Sequence, residues 1–108
     1  MWTKDSTFIV GVASKELHDN NKEVYNAMYK AFESAIELIN TDVESAAKIT
    51  YELNGNTLED EIKYMELGGY SMKTEGVFDL AVFMGENDFI DSVPSDFSEL
   101  AYENVEGN

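Results

Sequence analysis

Residues Lys22 to Asn40, KEVYNAMYKAFESAIELIN, decide how the rest of the chain is read. The stretch holds no Gly and no Pro, and it is the longest periodic segment in the protein. Val24, Met28, Ala31, Phe32, Ala35, Ile36 and Ile39 return at the spacing of one helix face. Lys22, Glu23, Asn26, Lys30, Glu33 and Glu37 fall mostly on the other side. Asn20 or Asn21 supplies a starting cap, and Asn40 or Thr41 ends the pattern. The spacing predicts a long core helix over 22–40, with Phe32 and Ile36 at its buried centre. Its apolar stripe reads as a packing face rather than a cofactor box.

Working outward toward the N-terminus, Thr7 to Ala13, TFIVGVA, reads as a strand. Phe8, Val10 and Val12 point one way and Ile9, Gly11 and Ala13 the other, so both faces are apolar. That is the mark of a strand buried inside a parallel sheet. Ser14 caps a short helical turn, which His18 to Asn21 breaks. On the C-terminal side, Thr41-Asp42-Val43-Glu44 fits a capping box with Thr41 at the cap. The helix it opens places Val43, Ala46, Ala47, Thr50 and Leu53 on one face, and Asn54-Gly55-Asn56 stops it. Thr57 caps a further helix with Leu58, Ile62 and Met65 inward, and Gly68-Gly69 ends it. Thr74 or Glu75 begins another, with Val77, Leu80, Ala81 and Met84 inward. Val93-Pro94 forces a turn. Ser95-Asp96 caps a last helix through Leu100 and Tyr102, and Glu106 to Asn108 reads as a frayed tail.

The chain, 1–108, is thus one domain or a fragment: predominantly helical α/β, with an N-terminal strand at 7–13 followed by five or six helices. The inventory holds a contradiction. A strand of the central type hydrogen-bonds along both edges, yet no second strand of equal quality follows. The simplest resolution is that the chain is a piece of a larger α/β protein.

Composition removes several functions. Acids number 22 against 7 Lys, with no Arg, for a formal charge of −15. Nucleic acid and anionic membranes repel such a surface. The absence of Cys removes thiol chemistry and disulfides. The longest apolar run, Phe8 to Ala13, is too short to span a bilayer. No leader is visible at the start, so export requires one supplied upstream. His18 is the only histidine, which excludes a His-based metal site or a catalytic triad; it reads as a surface or capping residue. Asp19 to Glu23 lacks the Gly of a calcium loop. Glu59-Asp60-Glu61 reads as a solvated helix start favoured by the macrodipole. No catalytic residue, cofactor or metal site emerges, and the expectation is a protein that is not an enzyme. Trp2 and Tyr70 are the aromatics least explained by packing and are the two ligand-binding candidates.

The order of segments resembles the last third of the solute-binding proteins of ABC importers, in the group that binds nitrate, sulfonates, taurine and thiamine precursors. Ile9 to Leu17 is similar to that family's strand ending in a "VASK" phrase, and residues 22–40 to its "PEVVKAFLKALEEAIEWI" helix. Asp42 to Ile49 resembles a "PEEAAKI" helix, Gly69-Tyr70-Ser71 a "YS" link, and Phe78 to Met84 an "FADFM" helix. Pro94-Ser95-Asp96-Phe97 to Val105 resembles the family's closing segment. Together these cover essentially residues 7–106. One departure is Asn21-Lys22 where the family has Asn-Pro, which changes the first helical residue but not the cap.

The resemblance implies a type II periplasmic-binding lobe, a small solute, an ABC permease as partner, and a periplasmic or extracellular, lipid-anchored whole protein. With no Arg, an anion clamp must lie elsewhere or use backbone amides. A second reading is a self-standing acidic helical module for protein–protein contact. A third, enzymatic, reading is a thiamine-precursor synthase of this fold, whose reactive histidine falls on His18. Expressed alone, the unpaired strand 7–13 is expected to pair with its copy in a homodimer.

Overall fold

A computed structural model describes residues 5–108. Five α-helices form: α1, Lys15–Asn20; α2, Lys22–Thr41; α3, Val43–Thr50; α4, Leu58–Gly68; and α5, Val77–Glu86. A 3₁₀ turn, Phe97–Glu99, stands where a last helix is expected. The predominantly helical character and the long helix hold. The strand at 7–13 does not: no strand forms among the described residues. Thr7 pairs with Glu75, donating its amide to Glu75 O at 2.8 Å and accepting Glu75 N–H on its hydroxyl at 2.8 Å. Among the described residues no ladder forms over 8–12, and a strand without a ladder has nothing to hold its geometry. Phe8, Ile9, Val10 and Val12 are exposed, Val12 to 91%.

The chain divides into two compact units, one of residues Val12–Ser71 and one of 5–11 with 72–108. In the first, α3 is the centre, packing against both α2 and α4. Ala47 is fully buried and Ala46 nearly so, because methyl side chains let neighbouring helices close on α3 from two sides. Ser14 caps α1 through Leu17 N–H at 3.1 Å, and Thr57 caps α4 through Asp60 N–H at 3.2 Å. The cap of α3 lies one residue beyond the capping-box reading. Asp42 accepts from Ser45 N–H and from the Ser45 hydroxyl, while Thr41 closes α2 by donating to Glu37 O at 2.7 Å. A carboxylate offers two acceptor atoms where a hydroxyl offers one, so Asp42 wins the cap.

The central-core role assigned to α2 is corrected. Phe32 is 58% exposed and Ile36 only half-buried, and Val24 and Met28 are also exposed. Tyr25, Tyr29, Ile36 and Ile39 make the more covered side. The apolar arc is wider than what packs on it, and one flank stays bare.

In the second unit the C-terminal tail is a structural part rather than a frayed end. Thr74 N–H donates to Glu106 O at 3.0 Å and Asn108 N–H to Thr74 O at 3.2 Å, forming a parallel bridge between Thr74 and Gly107. Asn108 then caps α5, accepting Val77 N–H on its carbonyl at 3.0 Å and Gly76 N–H on its side chain at 2.9 Å. Gly107 sits at φ 130°, and a Cβ there would collide with the Thr74 carbonyl, so only glycine fits the bridge. Lys73 adds an ion pair to Glu106 at 3.2 Å.

These burials generate a contrast. Phe32→Ala is expected to cost less than about 1 kcal/mol, as an exposed substitution does, whereas Ala47→Leu overpacks a closed site and is expected to cost about 1–3 kcal/mol. Chemical denaturation of the two variants measures the difference.

Candidate functional site

Two polar constellations lie in the Val12–Ser71 unit. The first is built on Glu61. The sequence pattern puts it on a solvated helix start; in the structure it is only 4% exposed. Its Oε1 accepts from the Thr50 hydroxyl at 2.8 Å and from Asn54 Nδ2 at 2.8 Å, and its Oε2 accepts from Asn56 Nδ2 at 2.6 Å. Thr50 is the last residue of α3, Asn54 and Asn56 belong to the turn, and Glu61 stands one turn into α4. The turn is itself closed by Asn54 N–H to Thr50 O at 3.0 Å and Asn56 N–H to Tyr51 O at 2.9 Å. One carboxylate therefore gathers both helices and the connection between them. Asn56 first, then Thr50 and Asn54, hold the carboxyl below its ordinary value, against the opposing effect of burial. With both oxygens bonded, the group serves as a structural anchor rather than a base or a ligand. The signal for it in the sequence is donor density: Thr50, Asn54 and Asn56 fall within the eleven residues before Glu61.

The second constellation is an open cleft of about 330 Å³ between the ends of α2 and α4. Ile39, Asn40 and Thr41 line it from α2, Val43 from the start of α3, Met65 and Glu66 from α4, and Gly69 and Tyr70 from the link beyond. Of the two sequence candidates, Tyr70 lies here and Trp2 lies outside the described residues. Tyr70 is 42% exposed. Its carbonyl accepts from Asn40 Nδ2 at 3.2 Å, and its ring covers Gly68 so closely that a Cβ there would stand 2.9 Å from Cε2. Gly69, at φ 64°, turns the chain to bring the ring back over the end of α4. Asn40 and Glu66 were not singled out by sequence, since polar residues in the last turns of helices carry no signal of a cleft until the helices are placed.

His18 is also corrected. It is 8% exposed, not a surface residue. Its Nδ1 lies 2.7 Å from Asp19 Oδ1, and its ring meets Tyr25 edge to face, centroids 4.8 Å apart at 82°. The imidazole seats α1 on α2. Among the described residues no group of three His, Asp or Glu side chains is placed to hold a metal ion. No described helix is long and apolar enough to cross a membrane.

Compared with protein-family models, with curated proteins and with solved structures, the chain matches none.

The Glu61 anchor makes stability depend on acid in a definite direction. Its carboxyl is held below the ordinary value of 4.5, so its contribution is complete above that value and is lost as pH falls through the folded-state value. Asp42 and Asp96, lowered by hydrogen bonds from Ser45 and Ser98, act in the same sense. Glu61→Gln is expected to lower the melting temperature at neutral pH and to make the acid limb of a melting-temperature profile shallower. Glu33→Gln, on the exposed side of α2, is expected to leave the neutral-pH melting temperature unchanged.

Proposed function

We propose that the chain is the C-terminal portion of an extracytoplasmic solute-binding component of an ABC importer. In the whole protein it would return into the first lobe of a type II periplasmic-binding fold and would carry no catalysis. The observation that carries the reading is the bare apolar surface of two segments. Phe8, Ile9, Val10 and Val12 stand in solvent, as do Val24, Met28 and Phe32 of α2. These are the residues that the family resemblance assigns to a central strand and to the helix packed beside it. An apolar segment of this strength is a cost to a free-standing protein and is ordinary for a part whose cover lies elsewhere. The same reading supplies the permease as partner, a small solute such as nitrate, a sulfonate, taurine or a thiamine precursor as cargo, and an extracellular or periplasmic, lipid-anchored location.

The same surface favours a second reading, an acidic helical module that docks on a protein through the bare face of α2. The exposed arm also carries the proposed homodimer through 7–13, in which Phe8, Val10 and Val12 of one copy meet the other.

The coding sequence and calorimetry separate the two. The importer reading expects the reading frame to continue upstream of Met1 into a first lobe and a signal peptide. It also expects the extended protein to bind a small solute that the 108-residue chain binds weakly or not at all, since part of a lobe does not enclose one. A stop codon directly upstream of Met1, or micromolar binding of taurine or nitrate by the 108 residues alone, contradicts it.

A further inference from the structure

We infer that the cleft between the ends of α2 and α4 is a binding site for a small organic cation, a quaternary or alkyl ammonium with an apolar body. The inference stands on the Val12–Ser71 unit itself and goes beyond the importer reading.

The charge of the cleft follows from what ends there. α2 and α4 both present their C-terminal turns to it, and neither carries a basic residue in that turn. A helix C-terminus behaves as roughly half a negative elementary charge, and here two of them stay uncompensated. The Glu66 carboxylate adds a full charge on the α4 wall. The one opposing pole is the N-terminus of α3 at Val43. It is already met by Asp42, whose carboxylate accepts from Ser45 N–H at 3.2 Å and from the Ser45 hydroxyl at 2.6 Å. The nearest lysines along the helices are engaged outside the cleft: Lys48 with Glu44 at 3.0 Å and Lys63 with Glu59 at 3.3 Å. Every lining contribution is therefore negative or neutral.

The shape selects within cations. Ile39, Val43 and Met65 give apolar walls, which a hydrated sodium ion does not use. The Tyr70 ring, half-exposed and backed by Gly68, offers a π-face to an ammonium. Asn40 donates one amide N–H to Tyr70 O, which orients the side chain and leaves its oxygen as an acceptor. An anion such as a sulfonate meets the Glu66 carboxylate and the negative ends of two helices and is disfavoured.

The test uses the full chain, labelled with nitrogen-15, and titrates tetramethylammonium chloride against sodium chloride at constant ionic strength. The amides of Met65, Gly69 and Tyr70 are expected to shift and saturate, while sodium ethanesulfonate leaves them in place. Tyr70→Leu and Glu66→Gln are each expected to weaken the apparent Kd by about two- to fivefold. Glu66 is exposed, so that variant keeps its fold if Tyr70→Leu does not. Shifts that never saturate, equal shifts with ethanesulfonate, or equal weakening by Glu99→Gln overturn the inference, because each assigns the effect to diffuse charge or to unselective apolar contact.

Discussion

A single carboxylate, buried without a cation, holds the helical unit together. Glu61 meets three neutral donors, from the end of α3 and from the turn that follows it. An ion taken out of water is tolerated only when hydrogen bonds replace its hydration. Here they do so from three separate points on the chain, so that satisfying the charge and fixing the turn are one event. The fixed turn sets the placement of α4 against α3. Ala46 and Ala47 then allow the close approach, and α2 packs on the remaining side of α3. The cleft at the ends of α2 and α4 exists because that placement is fixed.

The parts of this fold that rest on local chemistry could be read from sequence. Ser14 and Thr57 cap the helices they precede, Gly69 turns the chain after α4, and the 3.6-residue period of 22–40 gives α2. What local chemistry does not reveal is a residue's state where that depends on what lies across from it. The periodicity of α2 specifies an apolar face but says nothing of how much covers it, and Phe32 stays exposed. TFIVGVA has the composition of a strand, but a strand is a relation between segments, and among the described residues no ladder forms over 8–12. Glu61 sits among acids suited to a solvated helix start, and only the folded turn brings Thr50, Asn54 and Asn56 to it. Asn108 reads as a loose end in the sequence because its partners, Gly76 and Val77, lie about thirty residues earlier.

The candidate site was half legible. Tyr70 stood out as an aromatic with no packing stripe to explain it, and it lies on the rim of the cleft. Its companions Asn40 and Glu66 are ordinary helix-end residues until α2 and α4 converge. The bare flank of α2 and the apolar arm at Phe8 to Val12 carry the opposite message. They are strong sequence signals that this chain does not itself satisfy, and they are the ground for reading it as part of a larger assembly.

The central claim, that an ionised and buried Glu61 organises the unit, is tested most directly by a carbon-13 carboxyl titration of the intact protein. The account predicts that the Glu61 resonance titrates below the ordinary value of 4.5 and that its midpoint rises in Asn56→Ala, which removes the hydrogen bond that lowers it most. A Glu61 midpoint at or above 4.5, unmoved by Asn56→Ala, would contradict it.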